Sequence, residues 1–131
     1  MSPGAIEIVR HSCEAAARGD LESAMSVLDP GVEVVDTDIP DAGNYRGRDG
    51  YLRWVSQWSE SWSAFSLEGF EYQQSPDGRV VVLFDLHATG KGSGVELMRK
   101  DAMVCTVGDG TITHIVYFND QAHALAEAGL G

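Results

Sequence analysis

Midway along the chain the spacing of apolar residues changes from a helical repeat of about 3.6 to a strand repeat of about two, which restricts the fold more than any compositional figure does. Before the change, Ile6, Val9, Cys13 and Ala17 recur at helical spacing, and Ser2 with Pro3 supplies a cap and a first-turn proline, so residues 3–18 read as an amphipathic helix. Gly19 ends it. Asp20 caps a shorter helix with apolar positions Leu21, Met25 and Leu28, which stops at the Asp29-Pro30-Gly31 break. Residues 32–36 make a short strand, and Pro40, Gly43 and Gly47 mark an irregular connection. On the third helix Tyr51, Val55, Trp58 and Trp62 form one stripe, flanked by Trp54.

After the change, Phe65 and Leu67 share one strand face while Phe70 and Tyr72 lie in the opposite phase; the switch at Gly69 predicts a bulge and a curved sheet. Ser75-Pro76-Asp77-Gly78 is a turn, residues 79–89 a strand, and Gly90-Lys91-Gly92-Ser93-Gly94 the next connection. That glycine run leads into a strand, where a phosphate loop would open a helix, so nucleotide binding is set aside. Strands at 95–107 and 111–119 flank Gly108-Asp109-Gly110, read as a three-residue turn with Gly110 left-handed. Asp120 caps a last helix running to Gly129. The order α-α-β-α-β-β-β-β-α, with helices and strands largely segregated, predicts a single α+β domain over residues 1–131, its strand-rich half curling around an interior pocket.

Composition narrows the function. A net charge of -11 with only nine Lys and Arg repels a phosphate backbone, so nucleic acid is not an expected partner. No apolar run reaches the length of about 18 residues a membrane helix needs, and no secretory leader is read at the start, so the expected location is the cytoplasm. Cys13 and Cys105 are too few for a disulfide framework and are expected as buried free thiols. His11, His87, His114 and His123 lack ligand spacing, so neither a metal nor a cofactor is expected.

Polar residues paired at i and i+2 on a strand project from one face, and four such pairs interrupt these strands: Asp36 with Asp38, Asp85 with His87, Arg99 with Asp101, and Tyr117 with Asn119. Asp85 and His87 sit in an otherwise apolar strand, which favours burial and demands a polar partner. With the three-residue turn, Arg99, Asp101, Met103 and Cys105 share a face with Thr113, Ile115, Tyr117 and Asn119; a two-residue turn would break that grouping. Both faces of the final hairpin are apolar, so a homodimer built sheet to sheet is the economical way to cover the second.

The strings RGDLESAMSVLDPGVEVVD, YRGRDGYLRWVSQW, GKGSGVEL, VGDGTITHIVYFND and ALAEAGL, in that element order, resemble the SnoaL-like polyketide cyclase branch of the nuclear transport factor 2-like superfamily over nearly the whole chain. The resemblance implies a cone: a strongly curved, mostly antiparallel sheet wrapped on helices around an apolar cavity, commonly in a dimer. It also implies a superfamily of cyclases, isomerases, epoxide hydrolases and non-catalytic binders. The cyclases' His on the penultimate strand and Asp on the last strand fall, by an ungapped match, at Met103 and Tyr117. The epoxide hydrolases' first-strand Tyr and Asn fall near Asp36 and Asp38, their Arg-Asp strand near Asp85 and His87, and their last Asp again at Tyr117.

The combined expectation is a cofactor-free protein that takes a small, largely apolar molecule and moves a proton on it. Asp85 or His87 is the expected base, with Asp36 and Asp38 as the alternative. Tyr117 and Asn119 would orient a substrate oxygen, Trp54, Trp58 and Met103 would form walls, and Arg99 with Asp101 would complete the binding surface. Binding without turnover, a dimerisation module and water addition to an epoxide are the rival readings.

Overall fold

The computed structural model describes residues 4–37 and 44–130. Helix α1 spans Ala5–Ala17 and α2 spans Leu21–Met25, the latter capped by the Asp20 carboxylate, which accepts from Ser23 N at 3.2 Å. Strand β1 (Leu28–Asp36) begins earlier than the sequence suggests, because the Asp29-Pro30-Gly31 break is absorbed inside the strand. The pairing of β1 shifts register between Leu28 and Glu33, and a bulge there tolerates a proline that cannot donate to a ladder. Strand β2 (Asn44–Arg46) is too short to read from periodicity and pairs antiparallel with β1. Helix α3 (Gly47–Ser61) hands over directly to β3 (Trp62–Gln74), so Trp62 opens a strand instead of closing the helical stripe.

Strands β4 (Val80–Gly90), β5 (Glu96–Gly108) and β6 (Thr111–Phe118) follow, and α4 (Gln121–Glu127) is capped by Asp120, which accepts from Ala122 N at 2.9 Å. The six strands form one sheet in the order β2-β1-β6-β5-β4-β3, antiparallel except for the parallel β1–β6 pair. The bulge foreseen at Gly69 is present: β3 shifts register between Glu68 and Glu71, and Gly69 has φ of 65°.

The last hairpin corrects the expected turn but preserves the expected face. Gly108 pairs with Thr111, so the loop is two residues, Asp109 (φ 53°) and Gly110 (φ 82°), both left-handed as a tight hairpin requires. Alone, that turn would invert every side chain beyond it. A second irregularity, between Thr106 and Val107, leaves Thr113 as an extra residue and restores parity, so that Cys105 faces Ile115 and Met103 faces Tyr117.

The sheet is apolar on both sides. Its inner face carries Val34, Val80, Val82, Phe84, Met103, Cys105, Ile115 and Tyr117 against α1 and α3. Its outer face carries Val81, Leu83, Ala102, Val104 and Phe118, packed under Ala124 of α4 and Ala128 at its C-terminal cap. This chain's own last helix therefore covers part of the face for which a second subunit was invoked.

Candidate functional site: a buried Arg-Asp-Tyr chain at an apolar cavity

Asp101 is fully buried on β5, on the inner face opposite Phe84. A carboxylate without water must be compensated by charge and hydrogen bonds, and both are provided two residues away. Arg99, on the same face by strand alternation, donates from Nε to Oδ1 at 2.6 Å and from Nη2 to Oδ2 at 2.9 Å. This two-pronged geometry matches guanidinium to carboxylate better than any other pairing of side chains. The Tyr117 hydroxyl donates to Asp101 Oδ2 from the neighbouring strand. Gln121, at the start of α4, reaches over the strand edge to the carbonyls of Phe84 and Asp101, at 3.3 and 3.1 Å.

Asp36 ends β1 directly beside Tyr117 in the parallel register and is 4% exposed. Its Oδ2 accepts from two indoles on α3, Trp54 Nε1 at 2.7 Å and Trp58 Nε1 at 3.3 Å. The two tryptophans sit four residues apart, one helical turn, so both can point at the same oxygen. Tyr117 lies inside an aromatic cage, with ring centroids 5.3 Å from Trp58, 5.8 Å from Trp54 and 5.9 Å from Phe84. Burial raises the Tyr117 phenol well above its ordinary value, the Asp101 and Asp36 carboxylates add to that, and Arg99 opposes it. At neutral pH the group is a neutral hydroxyl pinned to a carboxylate.

Tyr117 is also a wall of a cavity of about 110 Å³ between the sheet's inner face and helices α1 and α3. Its walls include Tyr51, Trp54, Val55 and Trp58 from α3, Cys13 and Ala16 from α1, Phe65, Leu67 and Phe70 from β3, and Met103, Cys105, Ile112 and Ile115 from β5 and β6. None of the lining residues is charged. The Cys105 thiol is pushed up to about 12 by burial, and Cys13 is raised well above the usual range by burial and then by Cys105, so both stay protonated thiols.

A model of the SnoaL-like domain matches residues 9–115. The chain belongs to the SnoaL-like domain family. Solved structures repeat the fold across almost their full length. A nuclear transport factor 2-like protein from Burkholderia thailandensis is 25% identical, with 97% of this chain and 98% of that one covered at a TM-score of 0.75. A protein provisionally assigned as a polyketide cyclase, from Pseudomonas putida, is 16% identical over 97% and 98% of the two chains, at a TM-score of 0.76. TerC, co-crystallised with polyporic acid, is 22% identical over 94% and 95%, at 0.76. No curated protein matches the sequence.

Within this SnoaL-like domain the expected site residues divide between the two faces of the sheet. Asp36, Trp54, Trp58, Arg99, Asp101, Met103 and Tyr117 converge on the inner face; Asp38 lies outside the described residues. Asn119 falls past the end of β6 and is exposed, so it is not part of the cavity wall.

The inward projection expected of Asp85 and His87 is corrected. Both alternate with Phe84 and Leu86 and project from the outer face, with side chains 43% and 39% exposed. Asp85 accepts from Lys100 Nζ at 2.9 Å, and His87 Nε2 lies 3.8 Å from Glu68 Oε2. The apolar strand around them misled because α4 covers only its first half: Val81 and Leu83 lie under the helix, while Asp85 and His87 emerge beyond it. Cys13, Cys105 and Phe70 were not assigned to the cavity from sequence. Strand parity with Met103 was the available signal for Cys105, and the phase switch at Gly69 was the signal for Phe70.

Proposed function

We propose that this SnoaL-like domain is a cytoplasmic, cofactor-free protein that encloses a small, largely apolar molecule and transfers a proton on it through Tyr117 and Asp101. The observation that carries the reading is the Arg99–Asp101–Tyr117 chain: a fully buried carboxylate, clamped by Arg99 and accepting from the hydroxyl of Tyr117, a residue in the wall of an uncharged cavity. A proton leaving an acidic C–H or O–H of the ligand would pass to Tyr117 Oη while the phenolic proton moves to Asp101 Oδ2, and the reverse motion would return it at another atom. Neither group need ionise in isolation, which matters because burial opposes a free phenolate. Asp36, held by Trp54 and Trp58, would set the field beside Tyr117 and fix the aromatic wall.

Acetophenone is a small enolisable probe for this activity. Wild-type protein in deuterium oxide should speed loss of its methyl proton NMR signal, and Tyr117→Phe or Asp101→Asn should lower that rate by about 100-fold, the lower end of what a positioned acid–base group contributes. Equal rates in wild type and both variants would remove the assignment.

Binding without turnover is the second reading, and it draws on Met103 and Tyr117 standing where the SnoaL-like cyclases carry their His and Asp. Titration calorimetry with 4-ethylphenol, followed by the exchange assay, separates the two: heat without exchange favours a binder. A homodimer through the outer face accompanies the proposal, since Met98, opposite His87 on that face, is 74% exposed beyond the reach of α4. Sedimentation equilibrium showing only monomer would remove it.

A further inference from the structure

Besides the groups already described, the cavity contains a hydroxyl for which the fold gives no use. Tyr51, on the α3 stripe, is 4% exposed and lines the cavity, yet among the described residues its hydroxyl has no hydrogen-bond partner, neither oxygen, nitrogen nor thiol. Among the described residues, every side-chain nitrogen or oxygen sealed away from open space does have a partner. The Tyr51 hydroxyl therefore touches open space, and the space that a 4%-exposed residue in this wall can touch is the cavity. The neighbouring polar side chains are committed or weak: Ser12 Oγ donates to the Ala24 carbonyl at 2.9 Å, and Cys13 and Cys105 are neutral thiols.

Trp54 packs edge-on to both tyrosine rings, with centroids 5.9 Å from Tyr51 and 5.8 Å from Tyr117. The cavity wall thus carries two hydroxyl-bearing rings that share one indole neighbour. An unmet hydroxyl in an apolar cavity is costly unless a ligand meets it, and a site built to bond a polar atom discriminates strongly against a ligand that lacks one.

We propose that Tyr51 is a second, specificity-determining contact of this cavity, bonding an uncharged oxygen of a ligand whose other polar group meets Tyr117. The inference rests on the cavity being the binding site. The oxygen is uncharged because no Lys, Arg or His lines the cavity to balance an anion. A single aromatic ring is the most that the size allows, since a cavity of about 150 Å³ accepts benzene and this one, at about 110 Å³, is smaller. The ligand class is a one-ring phenol that also carries a carbonyl or ether oxygen.

The test compares 4-hydroxyacetophenone with 4-ethylphenol, which keeps the shape and loses the carbonyl oxygen. By titration calorimetry, Tyr51→Phe should reduce the affinity of 4-hydroxyacetophenone relative to 4-ethylphenol by about tenfold, the loss of one buried hydrogen bond. An unmoved ratio, with both probes still bound and Tyr117→Phe still weakening them, overturns this inference and leaves the proposed function standing. Failure of wild type to bind either probe overturns both. Without ligand, Tyr51→Phe should hold or raise Tm, since the hydroxyl has no partner to lose; a drop of more than about 5 °C would show a structural bond and also overturn the inference.

Discussion

Asp101 is stable as a buried charge only because Arg99 and Tyr117 share its two oxygens, so the three residues rise or fall together. Arg99→Met leaves the carboxylate buried and half-partnered, and urea denaturation should show a loss of about 3 kcal/mol, the low end for a broken buried pair because the Arg99 side chain is 26% exposed. Arg99→Met with Asp101→Asn should recover part of that loss, because no unpaired charge then remains. The pH dependence follows from Cys13 and Cys105. Both are raised by burial, Cys105 from 9.0 to about 12. In the unfolded chain the thiols release protons near their ordinary value, while the folded chain holds them, so stability is complete below that value and falls as pH rises toward the folded one. Thermal melts should show Tm declining from about pH 8 to about pH 10.5, with a shallower decline in Cys105→Ala.

At the scale of elements, two backbone details aim the site. Gly50 lies in the first turn of α3, where a Cβ would come 2.9 Å from the backbone carbonyl carbon of Tyr45 on β2. Alanine normally stabilises a helix over glycine by about 1 kcal/mol, but here the sign should invert, and Gly50→Ala should lower Tm by pushing α3 and its tryptophans off β1 and β2. The second detail is the extra residue at Thr113. Deleting Thr113 would leave the two-residue turn uncorrected and rotate Ile115 and Tyr117 to the outer face; loss of 4-ethylphenol binding in calorimetry is the expected result, and retained binding would show that the bulge does not set the register. The sequence made the sheet legible through alternation and glycine phase, and even placed Arg99, Asp101 and Met103 with Tyr117. It reached that grouping through a three-residue turn, because a compensating bulge leaves no mark in the alternation.

For the whole molecule, the choice between faces was what periodicity could not supply. Alternation reveals that Asp85 and His87 share a face, and that Arg99 and Asp101 share one, but not which face looks into the hollow. Normally apolar partners break the tie. Here Val81 and Leu83, under α4, make the outer face as apolar as the inner one along the first half of β4, so Asp85 and His87 looked buried. Arg99 and Asp101 read only as the edge of a binding surface for the complementary reason: a charged doublet in sequence gives no sign that one of its members is wholly removed from water. The family resemblance fixed the cone but carried its His and Asp onto Met103 and Tyr117, so function has to be read from what lines the cavity in this chain.

The division between faces gives the most direct test. In the acetophenone exchange assay, the inner-face variants Tyr117→Phe and Asp101→Asn and the outer-face variants Asp85→Asn and His87→Gln should separate cleanly: the first two lose about 100-fold in rate, and the second two stay within about twofold of wild type. Exchange abolished by the outer pair and untouched by the inner pair would contradict the account.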